Sequence, residues 1–220
     1  MDDSTERQPP ALILASAEMP EPLPDVGNVT YVVAADGGLR HAVRLGVVPD
    51  VIVGDIDSAD PDQLADAVAT GAAVERHPAD KDMTDWELAL RHVRDAGYRT
   101  VVVVGGGGGR LDHLLANALS LASDEHSGLD VVWHVGTASV RVARRSSPVA
   151  VIGSPGETVT LLAIGGDATG VTTEGLRWKL TDGSLTPGSG LGISNELVAE
   201  RATVSVNEGS LLVIQERSRA

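Results

Sequence analysis

The chain has 220 residues, 42% of them apolar and 22% charged, so it can bury a hydrophobic core as one large domain or two smaller ones. Its 31 acidic and 17 basic side chains give a net charge of −14, which disfavours a nucleic-acid backbone or an anionic membrane as its main partner. The sequence contains no cysteine, which excludes disulfides, zinc–thiolate sites and thiol nucleophiles.

The N-terminal segment 1–10 is polar and acidic, and it lacks the positive charge and apolar run of a secretion signal. No apolar stretch approaches the roughly 18 residues that are needed to span a membrane. We therefore expect a cytoplasmic protein with no membrane partner, whose residues 1–10 form a disordered N-terminus.

Apolar runs rich in β-branched residues alternate with helical patterns up to about residue 136. The runs cover residues 11–15, 31–35, 51–53, 101–104 and 131–133, and a further short strand is expected at 72–76. Amphipathic segments lie between them, and one begins at Thr84, a predicted N-cap with Glu87 three residues later. This alternation predicts a mostly parallel sheet flanked by helices, a Rossmann-like α/β domain over residues 11–138.

The pattern changes after residue 136, where no convincing amphipathic helix remains. Short β-type runs at 139–142, 149–152, 158–164, 170–173, 202–206 and 211–214 are punctuated by Gly, Pro, Asp or Asn. Strands at this spacing, about 8–12 residues apart, are typical of an all-β sandwich. We predict that residues 139–220 form such a domain and that it packs closely against the first.

Acidic residues follow the predicted strands of the first half. Asp36 comes directly after the run 31–35, Asp55 and Asp57 follow 51–53, and Asp82 and Asp85 flank Thr84, the predicted N-cap of the next helix. The loops after parallel strands converge at one edge of an open α/β sheet, where ligands bind. Carboxylates gathered there repel one another unless a hard cation joins them, and Mg²⁺ links one or two carboxylates to substrate phosphates. The sequence therefore predicts a magnesium site.

Each acid also has a local explanation when it is taken alone. Asp36 could be a turn residue, and Asp82 or Asp85 could be a helix-start acid. Asp55 and Asp57 are two residues apart, so on an extended segment their side chains point the same way. The three sets together favour a metal site over the local roles.

Five consecutive glycines, 105–109, follow one predicted strand and lead into Arg110, Asp112 and His113 at the start of a helix. A glycine-rich strand-to-helix turn lets backbone N–H groups approach a phosphate, but plain helix–sheet packing also accounts for it. The run is neither a dinucleotide fingerprint nor a Walker loop. Arg110 favours phosphate binding because its guanidinium matches phosphate geometry, and Lys81 can add a second positive charge. We interpret His113 as a locally hydrogen-bonded residue.

These motifs, in this order, resemble the thiamine pyrophosphokinase family. The matching stretches are residues 35–38, 49–58, 81–85 with 87–90, 108–113 with 116–117, 175–180 and 190–196, within a similarity that spans about 30–214. The proline-rich segment 16–27 matches none of them, so no residue is assigned to the adenine ring.

The resemblance implies an ATP-dependent diphosphotransferase that moves the β,γ-diphosphate of ATP to the hydroxyl of thiamine, with Mg²⁺ as cofactor and AMP as second product. It implies a homodimer in which residues 11–138 bind ATP and residues 139–220 bind thiamine near the subunit interface. Expected catalytic residues are Asp55, Asp57, Asp82 and Arg110, of which the three acids are also the expected metal ligands. Expected nucleotide-binding residues are Asp36, Gly37, Gly38, Lys81, Thr84, Asp85, Gly109, Arg110 and Asp112.

For the acceptor, the family motif implies Ser194 and Asn195, and we add Trp178 as a stacking contact, although it could equally be a core tryptophan of the sandwich. Three other functions stay open at this point. They are a related pyrophosphokinase acting on a hydroxymethyl-pterin, a non-catalytic nucleotide-binding module on the same scaffold, and a magnesium phosphohydrolase that uses Asp55 and Asp57.

Overall fold

The computed structural model of the chain describes residues 8–217. The predicted disorder of segment 1–10 therefore lies mostly outside the described residues, and the first strand starts at Ala11. No helix within residues 8–217 combines the length and the apolar composition that a bilayer crossing requires.

Strands and helices alternate through the first half, as predicted. In chain order they are β1 Ala11–Leu14, β2 Tyr31–Ala35, α1 Leu39–Leu45, β3 Val51–Gly54, α2 Pro61–Ala69, β4 Ala73–Arg76, α3 Asp85–Asp95, β5 Thr100–Val104, α4 Leu111–Leu121 and β6 Asp130–Val135. Short 3-10 turns at Asp36–Gly38 and Asp124–His126 were not expected. The predicted capping box of α3 is present, since the side chains of Thr84 and Glu87 each accept from the other's backbone N–H.

The second half contains strands only: β7 Ala138–Arg144, β8 Val149–Ile152, β9 Thr158–Glu174, β10 Gly183–Leu185, β11 Asn195–Glu196, β12 Arg201–Ser205 and β13 Glu208–Glu216. The expected absence of helices after residue 136 is thus confirmed for the described residues. The two strands predicted at 158–164 and 170–173 are one strand, β9, which passes through Gly165 and Gly170 at positive φ. We predicted a break there because glycine usually marks the end of a strand.

Strand pairing is continuous from one half to the other. The order is β4-β3-β2-β1-β5-β6-β7-β13-β9-β12-β8, with β10 and β11 paired to β9. The pairs from β4 to β6 are parallel, whereas β6 pairs with β7 in an antiparallel sense and every later pair is antiparallel. The sheet as a whole is therefore mixed.

Three clusters of buried apolar side chains hold these elements together. Alternate residues of β1 enter different clusters: Ile13 packs on the face covered by α3 and α4, and Leu12 and Leu14 pack on the face covered by α1 and α2. All three are at most 1% exposed, as expected of a central strand with both faces covered. The strands of the second half bury a third cluster of their own.

The strand order reverses direction at β1, which determines where a ligand can bind. The chain moves outward from β1 through β2 and β3 to β4, and then returns to place β5 on the other side of β1. Connections that leave a sheet edge in opposite directions open a crevice between them, beyond the carboxyl ends of the strands. The loops after β1 and β5 border this crevice.

Gly38 makes the sharp turn after β2 possible. A Cβ built at this position would overlap the carbonyl oxygen of Leu14 at the end of β1, so the backbone contact leaves no space for a side chain. We expect Gly38→Ala to lower the free energy of unfolding by about 1–3 kcal/mol, because β1 or the turn must shift. Urea denaturation measures the change. Gly166→Ala is the control, since its Cβ would meet nothing within 4 Å; equal stability of the two variants would contradict the prediction.

Candidate active site

A cleft of about 540 Å³ lies at the crevice where the strand order reverses. The loops that follow β1, β2, β3, β4 and β5 contribute to its wall, together with the first turns of α3 and α4. Among its lining residues are Ser16, Asp36, Gly37, Arg40, Asp55, Ser58, Lys81, Thr84, Asp85, Gly109, Arg110, His113 and Asn117. Most of the sequence-predicted nucleotide-binding residues therefore share one cavity.

Three carboxylates form a compact group beside this cleft, and two of them, Asp36 and Asp55, line it. Asp36, Asp55 and Asp57 each offer one oxygen, and these oxygens all lie within 4.8 Å of one another. Asp36 is buried, Asp55 is partly buried and Asp57 is exposed, so the group opens to the solvent on one side. An all-oxygen set of this kind suits a hard divalent cation that keeps room for water and phosphate ligands.

Asp55 and Asp57 approach each other for a reason that the sequence did not reveal. Ile56 between them has φ 65°, a left-handed conformation that is unfavourable for a β-branched residue, so the segment is a turn and not an extended strand. The Asp57 N–H donates to Asp55 Oδ1 at 3.2 Å, and the Ser58 hydroxyl donates to Asp57 Oδ1 at 3.1 Å. The Ile56 side chain is buried in the core, which anchors the turn.

Asp36 also adopts a left-handed conformation, with φ 45°. Its Oδ1 accepts a hydrogen bond from the Ser58 N–H at 3.3 Å, which links the loop after β2 to the loop after β3. We assigned Asp36 to nucleotide binding and Asp82 to the metal from the sequence. The structure groups Asp36 with Asp55 and Asp57, while Asp82 is exposed and is not part of this group. Both assignments stay predictions.

Lys81 connects two acids at the edge of the group. Its Nζ lies 2.9 Å from Asp85 Oδ1 and 4.0 Å from Asp55 Oδ2, and the lysine side chain is only 14% exposed. Burial raises the pKa of Asp85, Lys81 opposes this change, and the charges of Asp36 and Asp55 add to it. Gly54 is needed for this arrangement, because a Cβ there would lie 2.9 Å from Asp85 Oδ1.

The glycine loop 105–109 is fixed by buried donors on its inner side. The indole N–H of Trp133 donates to the Gly105 carbonyl at 2.7 Å, and the Asn117 amide donates to the Gly106 carbonyl at 2.9 Å. The Gly106 N–H donates to the Ser16 carbonyl, which ties the loop to the segment after β1. Gly108 and Gly109 line the cleft, and within residues 8–217 their N–H groups have no backbone acceptor, so they remain for a ligand.

Arg110 and Asp112 stand at the mouth of the cleft at the start of α4. Arg110 Nη2 lies 2.6 Å from Asp112 Oδ2 and Nε lies 3.2 Å from Oδ1, a bidentate pair between two exposed side chains. The guanidinium lowers the pKa of Asp112 to about 2, so this carboxylate is ionised at neutral pH. Arg110 lines the cleft, whereas Asp112 serves here mainly to orient it.

The predicted acceptor residues lie together in the second half, and none lines the cleft. Asn195 is buried, and its side chain accepts from the Trp178 N–H at 3.0 Å and donates to the Trp178 carbonyl at 2.7 Å. Trp178 is 54% exposed and is therefore not a core residue, and the Arg177 guanidinium lies 4.9 Å from the centre of its ring. Ser194 is exposed at φ 55°, and its N–H donates to Thr160.

Sequence reasoning missed the residues that support the site from behind or beside it. Asn117 lies in a sequence motif for which we predict no role, and Trp133 lies in a predicted strand without a further role. Ser16 and Arg40 lie on segments for which no motif was assigned. Their contribution depends on contacts between elements that are distant in sequence, and no local pattern indicates such contacts.

Two protein-family models match the chain in succession. The model of the thiamin pyrophosphokinase catalytic domain matches residues 26–133, and the model of the thiamin pyrophosphokinase vitamin B1 binding domain matches residues 144–211. The boundary between the two matches lies close to the change of strand pattern near residue 136.

Relatives and solved structures agree with this match. Thiamine pyrophosphokinase of Bacillus subtilis is 26% identical over 84% of this chain and 87% of its own length, and thiamine pyrophosphokinase 1 of Oryza sativa is 28% identical over 78% and 67%. The crystal structure of the Bacillus subtilis protein superposes with a TM-score of 0.82 at 23% identity, covering 95% of this chain and 99% of that one. The Candida albicans thiamin pyrophosphokinase has a TM-score of 0.75 at 15% identity, with 94% and 89% covered, and these two likenesses show the shared fold.

The resemblance inferred from the sequence motifs is therefore confirmed. Both family models match in the expected order and together they cover most of the described residues. The chain belongs to the thiamin pyrophosphokinase family of enzymes.

Proposed function

We propose that the chain transfers the β,γ-diphosphate of ATP to the hydroxyl of thiamine, giving thiamine diphosphate and AMP, and that the reaction takes place in the cleft above β1. The observation that carries this proposal is the convergence of Asp36, Asp55 and Asp57 beside a phosphate-accessible glycine loop. Acids that would repel one another are useful where a cation and an anionic substrate bind together.

The acid group fits Mg²⁺ by the chemistry of its donors, which are all carboxylate oxygens. Asp36, Asp55 and Asp57 would hold the ion, and Asp82 would join them through a movement of its loop or through water. When bound, Mg²⁺ supplies positive charge that offsets the charge of the transferred phosphates.

The chain's own groups would position the donor for in-line attack. The free N–H groups of the glycine loop and the guanidinium of Arg110 provide donors for phosphate oxygens, and the helix that begins there favours an anion. Lys81 contributes a second cation from the opposite wall, although Asp85 and Asp55 already neutralise part of its charge. Transfers of this kind depend mainly on positioning and charge stabilisation.

We further propose a division of labour between the two halves of the chain. Residues 11–138 would form a Rossmann-like unit that binds ATP, and residues 139–220 a β-sandwich that binds thiamine through Trp178, Ser194 and the backbone that Asn195 holds in place. Arg177 lies on one face of the Trp178 ring, so the cationic acceptor would use the other face or displace the arginine.

We also propose that the chain acts as a homodimer in the cytoplasm. Leu111, Leu115 and Leu119 project from one side of α4 and are each more than half exposed, and contiguous exposed apolar surface of this kind is typical of protein interfaces. A second subunit would explain how acceptor residues that do not line the cleft of their own chain take part in the reaction.

The alternative functions receive less support. A match to a vitamin B1 binding domain over residues 144–211 favours thiamine over a hydroxymethyl-pterin as acceptor. A non-catalytic nucleotide sensor would not require three converging carboxylates. A phosphohydrolase would not require a second half of the chain that binds an acceptor substrate.

The product pattern tests the reaction directly. With ATP, Mg²⁺ and thiamine, we expect AMP and thiamine diphosphate in equal amounts, because transfer to the hydroxyl releases one AMP for each product molecule. Chromatography with a hydroxymethyl-pterin as the alternative acceptor provides the comparison. Release of inorganic phosphate without thiamine would instead identify a phosphohydrolase, and ATP binding without AMP would identify a sensor.

The metal assignment is tested by removing single carboxylates. We expect Asp36→Asn, Asp55→Asn and Asp57→Asn each to lower kcat by at least about 100-fold, because each loses a ligand for the cation. Asp66→Asn removes the same charge from an exposed position on α2 and should leave the rate unchanged. Near-normal activity of the Asp55 or Asp57 variant would contradict the metal site. Asp82→Asn decides separately whether this exposed acid belongs to the ligand set.

The role of Trp178 is tested by separating the two Michaelis constants. Trp178→Ala should raise the KM for thiamine about tenfold and leave the KM for ATP unchanged, since the indole face is lost and the cleft is not touched. Trp178→Phe keeps an aromatic face and should recover most of the affinity. An equal rise in both constants would place Trp178 outside the acceptor site.

A further inference from the structure

Lys81 is the basic side chain that contacts the acids of the cleft. Its Nζ lies 2.9 Å from Asp85 Oδ1 and 4.0 Å from Asp55 Oδ2. Within the part of the chain that the structure describes, no other basic side chain comes within 4.0 Å of a carboxylate oxygen of the acid group, which is Asp36, Asp55 and Asp57. The ammonium of Lys81 is therefore the counter-charge that the protein itself supplies to these acids.

This counter-charge offsets the repulsion among the acids only in part. The side chains of Lys81 and Asp55 are 14% and 19% exposed, so salt screens their interaction weakly. The ammonium lies closer to Asp85, and its distance from Asp55 is too long for a hydrogen bond. One positive charge beside several carboxylates leaves the site negative, and a divalent cation would neutralise it better.

The lysine is the mobile partner in this contact. Lys81 lies on the segment 77–84 between β4 and α3, where its neighbours Asp80 and Asp82 are exposed. A lysine carries its charge at the end of a flexible four-carbon stem, so the ammonium can move while the backbone stays in place. The acids are held more firmly, because the loops that carry them are joined by the hydrogen bond from the Ser58 N–H to Asp36.

The ammonium has a second destination inside the same cleft. Lys81 lines this space together with Gly108 and Gly109, whose N–H groups remain for a ligand. An ammonium that leaves Asp55 thus stays within the cavity in which phosphate oxygens would bind. Phosphate can attract it there, since lysine binds phosphate as a point charge.

We propose that Lys81 is a built-in counter-ion that the divalent cation displaces. In the metal-free protein its ammonium offsets the charge of Asp55 and Asp85, and a cation on the acid group releases it to the phosphates of the donor. The proposal rests on the function proposed above, in which the acid group holds Mg²⁺. Cation and ammonium repel each other at the acids but attract the same phosphates, so Lys81 makes binding of the anionic donor depend on a bound cation.

A counter-ion of this kind predicts effects of opposite sign for two ligands. We expect Lys81→Met to strengthen the binding of Mn²⁺ alone about tenfold, because the competing charge is lost, and to weaken pyrophosphate in saturating Mg²⁺ about tenfold. Mn²⁺ takes the same oxygen ligands as Mg²⁺, and electron paramagnetic resonance measures its free concentration. Calorimetry measures the binding of pyrophosphate.

Two further variants separate the contact from the general field of positive charge. Arg40→Met removes a charge from the wall of the same cleft, but from a guanidinium whose recorded hydrogen bond goes to the Ala17 carbonyl. It should change the affinity for Mn²⁺ less than about twofold, and a gain equal to that of Lys81→Met would contradict the proposal. Lys81→Arg keeps the charge and should restore most of the wild-type affinity for Mn²⁺.

Thermal unfolding gives a readout that a purely structural role would not produce. Without metal, Lys81→Met should have a lower Tm than the wild type, and saturating Mn²⁺ should narrow this gap because the tighter ligand stabilises more. A gap of the same size with and without Mn²⁺, or weaker binding of both ligands, would assign Lys81 to packing of its loop.

The Mn²⁺ titration also distinguishes failure of this proposal from failure of the metal site. Equal Mn²⁺ affinity in the wild type and Lys81→Met, with only pyrophosphate weakened, would limit Lys81 to phosphate binding and leave the metal site intact. A lack of Mn²⁺ binding in both proteins would contradict the metal site itself, and the counter-ion with it. None of these measurements requires turnover or thiamine.

Discussion

The repulsion among Asp36, Asp55 and Asp57 is the constraint around which this part of the molecule is built. Three carboxylates within 4.8 Å of one another are unfavourable without a cation. The pKa of the neighbouring Asp85 is raised mainly by burial, and the charges of Asp36 and Asp55 add to this shift. Left-handed backbone at Asp36 and Ile56 adds strain to the same loops. Such an arrangement lowers stability, and it persists only because the surrounding structure determines it.

Packing and hydrogen bonds on the buried side of each loop offset this unfavourable free energy. Ile56 places its side chain in the core below the acids, and Ser58 ties the loops after β2 and β3 to each other. On the other side of β1, Trp133 and Asn117 hold the carbonyls of Gly105 and Gly106, which fixes the glycine loop at the wall of the cleft. Rigid support of this kind lets binding groups be positioned before the substrate arrives, so that less free energy is lost in ordering them.

The sequence predicted what depends on local pattern. Alternating apolar runs and amphipathic segments located the elements of the first half. The position of the acids after parallel strands predicted that acids of separate loops converge, with Asp55, Asp57 and Asp82 as the expected metal ligands. The acids that lie together are Asp36, Asp55 and Asp57. The sequence did not predict that strand pairing continues from β6 to β7. The turn between two strands has a similar composition whether it joins a hairpin or separates two domains. For a similar reason the sequence predicted two strands where β9 is one, because a glycine within a bent strand cannot be told by pattern from a glycine that ends a strand.

The roles of Asn117 and Trp133 had no such local signal. Each acts through a hydrogen bond to a carbonyl of the glycine loop, and both donors come from elements that follow this loop in the chain. Both side chains are buried, and a buried N–H without an acceptor costs free energy. The loop and the two side chains therefore determine each other's positions, a dependence that no local pattern in the sequence expresses.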